Sequence, residues 1–408
     1  MKKEFIAYGA NPDDDRIRFA TVDKFSRDYE KRLYDCNNTF LIVDEAHNLK
    51  TYGGKKSKAV IHCAKKAFKV LLLTATPVLN RPNEIVNLIA MVDGEDPINP
   101  AAFDKFILQD DEQFDRYFKC KISYYKSDVS EHYPSSEEHE VNFDMTKDYY
   151  KKYRNIEKTE GGNLSAALFG IGTNLQAFFN GIRRAANNLE SENGPKINWI
   201  VDKIIAENKR NKRNKTLIYS SFLDAGSYLV MKRLDALKIP YVKVDGSMSK
   251  LKRKAAVEDY NKGKTNIIFI SKAGGEGLDL KGTRHVIITE PTWNDANLEQ
   301  VKGRAIRFKS HDALPSDEQH VDVWNLFLVK PPIDEREEGE DEMDSIDIVI
   351  TKMAGEKKEV IDEFLKRLEP LSIENNDCSF VEKFGYDETP QEMEAPGDYS
   401  MMEEIEVY

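Results

Sequence analysis

Short apolar runs alternate with segments of helical period over most of the chain. Phe40-Leu41-Ile42-Val43 leads into Asp44-Glu45, and Val70-Leu71-Leu72-Leu73 leads into Thr74-Ala75-Thr76-Pro77. Between them, Ser57 to Ala67 has a helical pattern. Continuous apolar runs of this length, separated by helices, predict buried strands in a parallel sheet covered on both faces. The alternation lapses over residues 96–192, which are rich in Asp, Lys, Tyr and Phe, hold few strand-like runs and include a Gly161-Gly162 loop. Helices are expected there. The alternation resumes at Gly194-Pro195. Helices are predicted for Trp199 to Lys209, Ala225 to Leu237, Ser249 to Asn261 and Leu298 to Arg307. Strands are predicted for Thr216 to Tyr219, Tyr241 to Val244, Asn266 to Ile270, His285 to Thr289 and His320 to Val329. Beyond Pro331-Pro332 come an acidic linker, one helix-like stretch from Glu356 to Leu368, and a polar tail.

This pattern predicts an α/β protein in four parts: a first α/β domain over 1–95, a helical linker or insertion over 96–192, a second α/β domain over 193–330, and an acidic linker and tail over 331–408. A length of 408 residues agrees with more than one domain. No apolar run reaches the ~18–20 residues of a membrane helix. The opening Met1-Lys2-Lys3-Glu4-Phe5 has no apolar stretch behind it, so no secretory signal is expected and no membrane partner either.

Charge changes the picture in one respect. A net charge of −11 argues against a protein that passively coats nucleic acid. The acid, however, is concentrated in Asp334 to Asp347 and Asp387 to Glu406, while Lys209 to Lys215 and Lys250 to Lys254 are basic. A nucleic-acid surface is therefore compatible with the total. Cys36, Cys63, Cys120 and Cys378 have neither zinc-finger nor redox spacing and are expected to be reduced thiols of an intracellular protein. The seven histidines form no metal-like cluster.

Asp44-Glu45-Ala46-His47 follows directly on a buried strand, where ligands of open α/β sheets bind. Adjacent carboxylates there can divide labour. Asp44 can hold Mg²⁺ through water, since Mg²⁺ keeps much of its hydration shell. Glu45 can polarise the water that attacks a terminal phosphate. Thr74 and Thr76 close the next strand and could sense that pair, with Pro77 opening a following helix. Ser271-Lys272-Ala273-Gly274-Gly275-Glu276-Gly277-Leu278-Asp279-Leu280 gives a backbone that a ligand can approach closely. Glu299-Gln300-Val301-Lys302-Gly303-Arg304-Ala305-Ile306-Arg307 sets two arginines three apart, on one face of a helix, as arginine fingers would be. Each segment alone has a bland reading: a solvated acidic loop, an ordinary turn, a basic surface helix.

Taken in order, these segments resemble the motifs of superfamily 2 helicases, and more narrowly of Swi2/Snf2-like ATPases. Asp44-Glu45-Ala46-His47 is similar to motif II and Thr74-Ala75-Thr76-Pro77 to motif III. Ala20-Thr21-Val22-Asp23-Lys24-Phe25 resembles motif Ib, and Thr216 to Phe222 motif IV, with Val244-Asp245-Gly246-Ser247 and Arg253 after it. Ser271 to Leu280 resembles motif V and Gln300 to Arg307 motif VI, preceded by Pro291-Thr292-Trp293-Asn294. Gly303 to His311 most resembles helicase-like ATPases of large DNA viruses, of the poxvirus early transcription factor small subunit and nucleoside triphosphate phosphohydrolase I type. The resemblance implies two RecA-like domains with parallel sheets, the first N-terminally incomplete, and a helical insertion between them. It implies ATP and Mg²⁺, and DNA or RNA as partner. Asp44 and Glu45 would serve Mg²⁺ and water. His47, Thr74 and Thr76 would couple nucleotide state to the nucleic acid. Gly277, Asp279, Gln300, Arg304 and Arg307 would act on the nucleotide. Ser220, Ser221, Ser271 and Lys272 would touch the nucleic-acid backbone, which carries affinity without sequence.

One departure shapes the expected function. Gly-x-x-x-x-Gly-Lys-Ser/Thr occurs nowhere in the 408 residues, and Thr51-Tyr52-Gly53-Gly54-Lys55-Lys56-Ser57 has the wrong spacing and position. That loop cradles the β- and γ-phosphates in P-loop enzymes. The expected function is ATP-dependent remodelling of, or translocation on, nucleic acid, as viral DNA or transcription complexes, by the product of a split or truncated gene: either a separate polypeptide supplies the loop or the chain is inactive alone. The alternatives are a silent binding subunit on nucleic acid or transcription machinery, and a transcription factor subunit whose ATPase serves promoter opening or transcript release, with RNA polymerase or transcription factor subunits as partners. The compartment expected is the host cytoplasm, virus factory or virion for a viral chain, or otherwise the nucleus.

Overall fold

The computed structural model describes residues 6, 9, 11, 14–124, 132–161, 179–189, 194–211, 213–272, 278–336, 343–378 and 403–407. The chain divides into two compact units, Met1–Lys126 with Lys357–Tyr408, and Ser127–Glu356.

In the first unit, β1 (Ile17–Ala20) leads through the N-cap Thr21 into helix α1 (Val22–Glu30). The Thr21 hydroxyl accepts a hydrogen bond from the Lys24 amide, satisfying one donor that the first helical turn leaves open. Strand β2 (Thr39–Asp44), helix α2 (Lys55–Ala64), strand β3 (Lys69–Leu73) and helix α3 (Val86–Asp93) follow. Helices α4 (Pro100–Phe106) and α5 (Asp111–Phe118) complete this stretch. The sheet runs β1-β10-β2-β3, all parallel, where β10 is Glu403–Val407. Leu41 and Val43 of β2 are fully buried among Phe25, Val60, Ile85 and Met91. Phe364 packs edge-on against Phe114 and Phe118 in the same core.

In the second unit, β4 (Ser135–Asp144), β5 (Lys215–Tyr219), β6 (Val242–Val244), β7 (Ile267–Ile270), β8 (Thr283–Ile288) and β9 (His320–Val329) form a parallel sheet in the order β4-β9-β8-β5-β7-β6. Successive side chains point to opposite faces. One face sends Leu217, Tyr219, Ile268 and Ile270 into a core with Tyr260 of helix α10 (Lys250–Asn261) and Val301 of helix α11 (Asp295–Ala305). The other sends Ile218, Ile267 and Phe269 against Ile197, Ile200 and Ile204 of helix α8 (Pro195–Arg210). Helix α9 (Tyr228–Ala236) adds Val230, Met231 and Leu234 to that face. Strands β5, β7 and β8 carry apolar runs because both of their faces are covered. Helices α6 (Lys147–Gly161) and α7 (Asn180–Asn187) pack Tyr149, Tyr153 and Ile182 around Trp293 and Leu328 in a further core. Helix α12 (Ile346–Leu368) places Ile346 and Ile350 in that core.

The expected α/β class with two RecA-like parallel-sheet units is present. Other expectations are corrected. The stretch 96–192 holds a ten-residue strand, β4, besides its helices, and these elements are divided between the two units. Strand β4 lies at the sheet edge and carries Glu137, Glu138 and Glu140, so its composition hides it; charge on an edge strand blocks unwanted pairing. The cysteines are not reduced. Cys36 pairs with Cys63 and Cys120 with Cys378, with Cα atoms 5.3 Å and 5.8 Å apart. The fold brings together residues 27 and 258 positions apart, which no spacing rule registers. The compartment inferred from free thiols loses that support. Pro77 opens no helix; the backbone stays irregular until a 3₁₀ turn at Pro82–Ile85. Among the described residues, no helix is long and apolar enough to cross a membrane.

Candidate active site

Two adjacent parallel strands of the first unit, β2 and β3, end side by side, with Asp44 in register with Leu73. The residues that follow them therefore meet beyond the carboxyl edge of the sheet, the usual ligand side of such a sheet. The backbone turns sharply at Glu45, which has φ 51° and ψ 44°. The left-handed region is costly for a side-chain-bearing residue, and such strain concentrates at functional sites. The Asp44 carboxylate supports the turn by accepting the Glu45 amide at 3.0 Å.

The turn leaves Glu45 exposed and Asp44 half-buried, while His47 is buried beneath them. His47 Nδ1 lies 3.1 Å from the Thr74 hydroxyl and 3.3 Å from Glu45 Oε2. Thr74 Oγ1 accepts the Thr76 amide at 3.1 Å, which leaves its hydrogen available for the imidazole. A ring nitrogen has one proton or one lone pair, so Nδ1 can serve the hydroxyl as acceptor or the carboxylate as donor. Thr76 Oγ1 is buried and has no hydrogen-bond partner. The structure thus brings Asp44, Glu45, His47, Thr74 and Thr76 together. Asp44 and Glu45 form an all-oxygen, water-accessible donor set, the chemistry that suits hydrated Mg²⁺. The look-alike Gly53-Gly54-Lys55-Lys56-Ser57 opens helix α2, and its Ser57 hydroxyl is turned inward onto the Leu49 and Thr51 carbonyls.

In the second unit the segments around Leu278 and Arg304 are stitched to each other. The Leu280 amide donates to the Arg304 carbonyl, and Arg307 Nη1 donates to the Leu278 carbonyl at 3.2 Å. Leu278 and Leu280 are buried in the core with exposed Asp279 between them. Gly277 lies outside the described residues, as do residues 273–276. Gln300 and Arg304 are half-buried on α11, and a side chain at Gly303 would meet open space. The expectation that Arg304 and Arg307 share a helical face is corrected. Helix α11 ends at Ala305, Ile306 leaves helical geometry at ψ 85°, and Arg307 sits beyond the helix on the neighbouring loop. Asn294 caps the start of α11 by accepting the Ala296 amide, and Trp293 beside it is buried.

The four residues assigned to the nucleic-acid backbone differ in exposure. Lys272 is exposed and Ser221 half-buried, whereas Ser271 is buried. Ser220 is fully buried; its hydroxyl bonds the Glu290 carboxylate and the Phe222 carbonyl, so it cannot present itself to a phosphate.

That carboxylate opens a network which the sequence does not announce. Glu290, just past β8, also accepts the Ser221 amide and Asn187 Nδ2. Asn187 Oδ1 accepts Lys196 Nζ, which in turn donates to the Thr289 carbonyl and, at 2.6 Å, to Asp347. Asp347 closes the circuit on the Leu328 amide. Arg183 donates to the Pro291 carbonyl and lies over the Phe222 and Trp293 rings; burial pulls its pKa down, against the attraction of Glu290. The network fixes the carboxyl ends of β5, β8 and β9, from which Ser221 and the approach to α11 emerge. A carboxylate directly after an apolar strand, as at Glu290, is its one sequence signal.

Residues 7–193 match the SNF2-related domain, and residues 195–309 match the helicase conserved C-terminal domain. The chain is 32% identical over 392 residues to a putative ATP-dependent RNA helicase, L538, of Acanthamoeba polyphaga mimivirus, covering 90% of this chain and 84% of that protein. It is 27% identical over 381 residues to a second mimivirus protein, putative ATP-dependent RNA helicase R563, covering 78% of this chain and 66% of that one. Over 116 residues it is 39% identical to a termination factor NPH-I homolog of African swine fever virus, covering 28% of this chain and 16% of that protein.

Proposed function

The chain belongs to the SNF2-related, helicase-like ATPases of superfamily 2, and from that membership we propose that it uses ATP hydrolysis to move along or remodel nucleic acid during viral transcription. The observation that carries the mechanism is His47, whose one nitrogen stands between Glu45 and Thr74. Asp44 would hold a hydrated Mg²⁺, which would supply charge neutralisation to the phosphates. Glu45 orients and deprotonates the attacking water. Arg304 neutralises charge developing on the γ-phosphate, and Arg307 joins it or holds its loop. His47 answers to the Glu45 carboxylate on one side and the Thr74 hydroxyl on the other, so the state of the nucleotide passes to the end of β3. Asp279 and Gln300 serve nucleotide binding. Lys272 and Ser221 contact phosphates of the nucleic acid.

Two relatives are named as RNA helicases and a third as a termination factor, which favours RNA or a transcribing complex as the substrate and RNA polymerase or its factors as partners. The corresponding place of action is the inside of an infected cell or the virion. The alternative reading is nucleic-acid binding without turnover. Phosphate release measured with single-stranded RNA, single-stranded DNA and duplex DNA separates the readings. Stimulation by any of them supports the ATPase, and the best activator names the substrate. Tight binding with no release at any concentration favours the binding subunit.

A further inference from the structure

At the amino-terminal end of the six-stranded sheet, opposite the carboxyl end where Ser220 and Glu290 lie, β4 and β9 set Ser135 beside His320, Glu137 beside Asp322 and His139 beside Trp324. Alternation puts all six on one face, and the β8 register adds His285 beside Asp322. Sequence spacing cannot show this group, because a strand near residue 137 meets one near residue 320.

Glu137, His320 and Asp322 each offer one ligand atom, and these lie within 4.8 Å of one another. The Ser135 hydroxyl lies 3.3 Å from the Gln319 carbonyl and 2.9 Å from His320 Nδ1. When it donates to the carbonyl, its oxygen accepts from Nδ1, and Nε2 turns a lone pair toward Asp322 Oδ1, 3.4 Å away. In that tautomer a cation between the ring and the Asp322 and Glu137 carboxylates relieves their repulsion. His139 Nε2 reaches the same Asp322 Oδ1 at 3.0 Å. Hydrogen-bonded supports of this kind orient metal-binding carboxylates and imidazoles.

We propose that Glu137, His320 and Asp322 bind a divalent first-row transition ion of the zinc class, which clamps the edge strand β4 to β9. One imidazole and two carboxylates suit zinc better than magnesium, which prefers all-oxygen sites. Ligands of a tetrahedral zinc lie roughly 3.5 Å apart. The exposed Glu137 side chain closes that distance by rotation, and its exposure leaves a path for the ion and a position for water.

The test is Zn²⁺ titration of the full chain, without an affinity tag and with excess Mg²⁺ present, by calorimetry and by competition with a chromophoric chelator. One Zn²⁺ per chain is expected, with binding abolished in Glu137→Gln and His320→Gln. Ser135→Ala, which frees the ring, weakens binding by about 10-fold or more. Thermal unfolding of each variant without zinc verifies its fold, and added zinc raises the midpoint of the wild type only. No stoichiometric binding, or binding that survives Glu137→Gln or His320→Gln, overturns the proposal; proton uptake by His320 in place of zinc does so too.

Discussion

His47 Nδ1 lies 3.1 Å from the Thr74 hydroxyl, although the two residues belong to different strand ends 27 positions apart. The same nitrogen is 3.3 Å from Glu45 Oε2. If this contact relays the nucleotide state, Thr74→Val removes the relay and keeps the shape of the side chain. Basal ATP hydrolysis then stays within a few-fold of wild type, while stimulation by nucleic acid falls at least 10-fold. Steady-state rates with and without RNA check this. Full stimulation in Thr74→Val would assign the contact to packing alone.

Glu84 ties down the chain after Thr76. Its carboxylate accepts the Leu79 and Asn80 amides, Asn80 Nδ2 and Lys50 Nζ. Burial pushes its pKa up, but these bonds outweigh burial and leave it below the ordinary 4.5. A depressed carboxylate stabilises the fold above the unfolded pKa and loses that contribution as pH falls through the folded one. Glu84→Gln is therefore expected to cost about 2 kcal/mol at neutral pH. The gap to wild type shrinks only below about pH 4.5. Urea unfolding across the pH range measures it, and a gap independent of pH would contradict the ionised carboxylate.

The fold was legible where physics is local. Phe40 to Val43 and Ile267 to Ile270 are apolar throughout because both of their faces are covered, so composition alone marks them. Asp44, Glu45, His47, Thr74 and Thr76 could be grouped from the sequence because they end adjacent strands. What escaped depends on partners distant in sequence. Strand β4 reads as polar because it lies at an edge. Cys120 and Cys378 meet only in the folded chain. Arg307 leaves the face of Arg304 because the helix stops two residues before it, a boundary that no periodicity marks. Ser220 looks available until Glu290 is seen to hold it.

Lys196 is the sharpest case of the last kind, a lysine with no exposed surface. Its ammonium is held by Asp347, Asn187 and the Thr289 carbonyl. Removing one partner of a buried pair strands the other charge, at a cost of about 3–5 kcal/mol. Lys196→Met should lower stability by that amount in chemical denaturation. Asp347→Asn in the same chain should recover part of the loss, because it removes the stranded charge. Additive losses in the double variant would contradict the pairing.

ATP hydrolysis by this chain depends on both Glu45 and Arg304. ATP turnover by the protein isolated with its natural partners, with and without RNA or DNA, tests it most directly when wild type is compared with Glu45→Gln and Arg304→Ala. Nucleic-acid-stimulated hydrolysis is expected in the wild type, with a fall of about 10²-fold or more in Glu45→Gln and about 10³-fold or more in Arg304→Ala. Hydrolysis that is unchanged in both variants would contradict it.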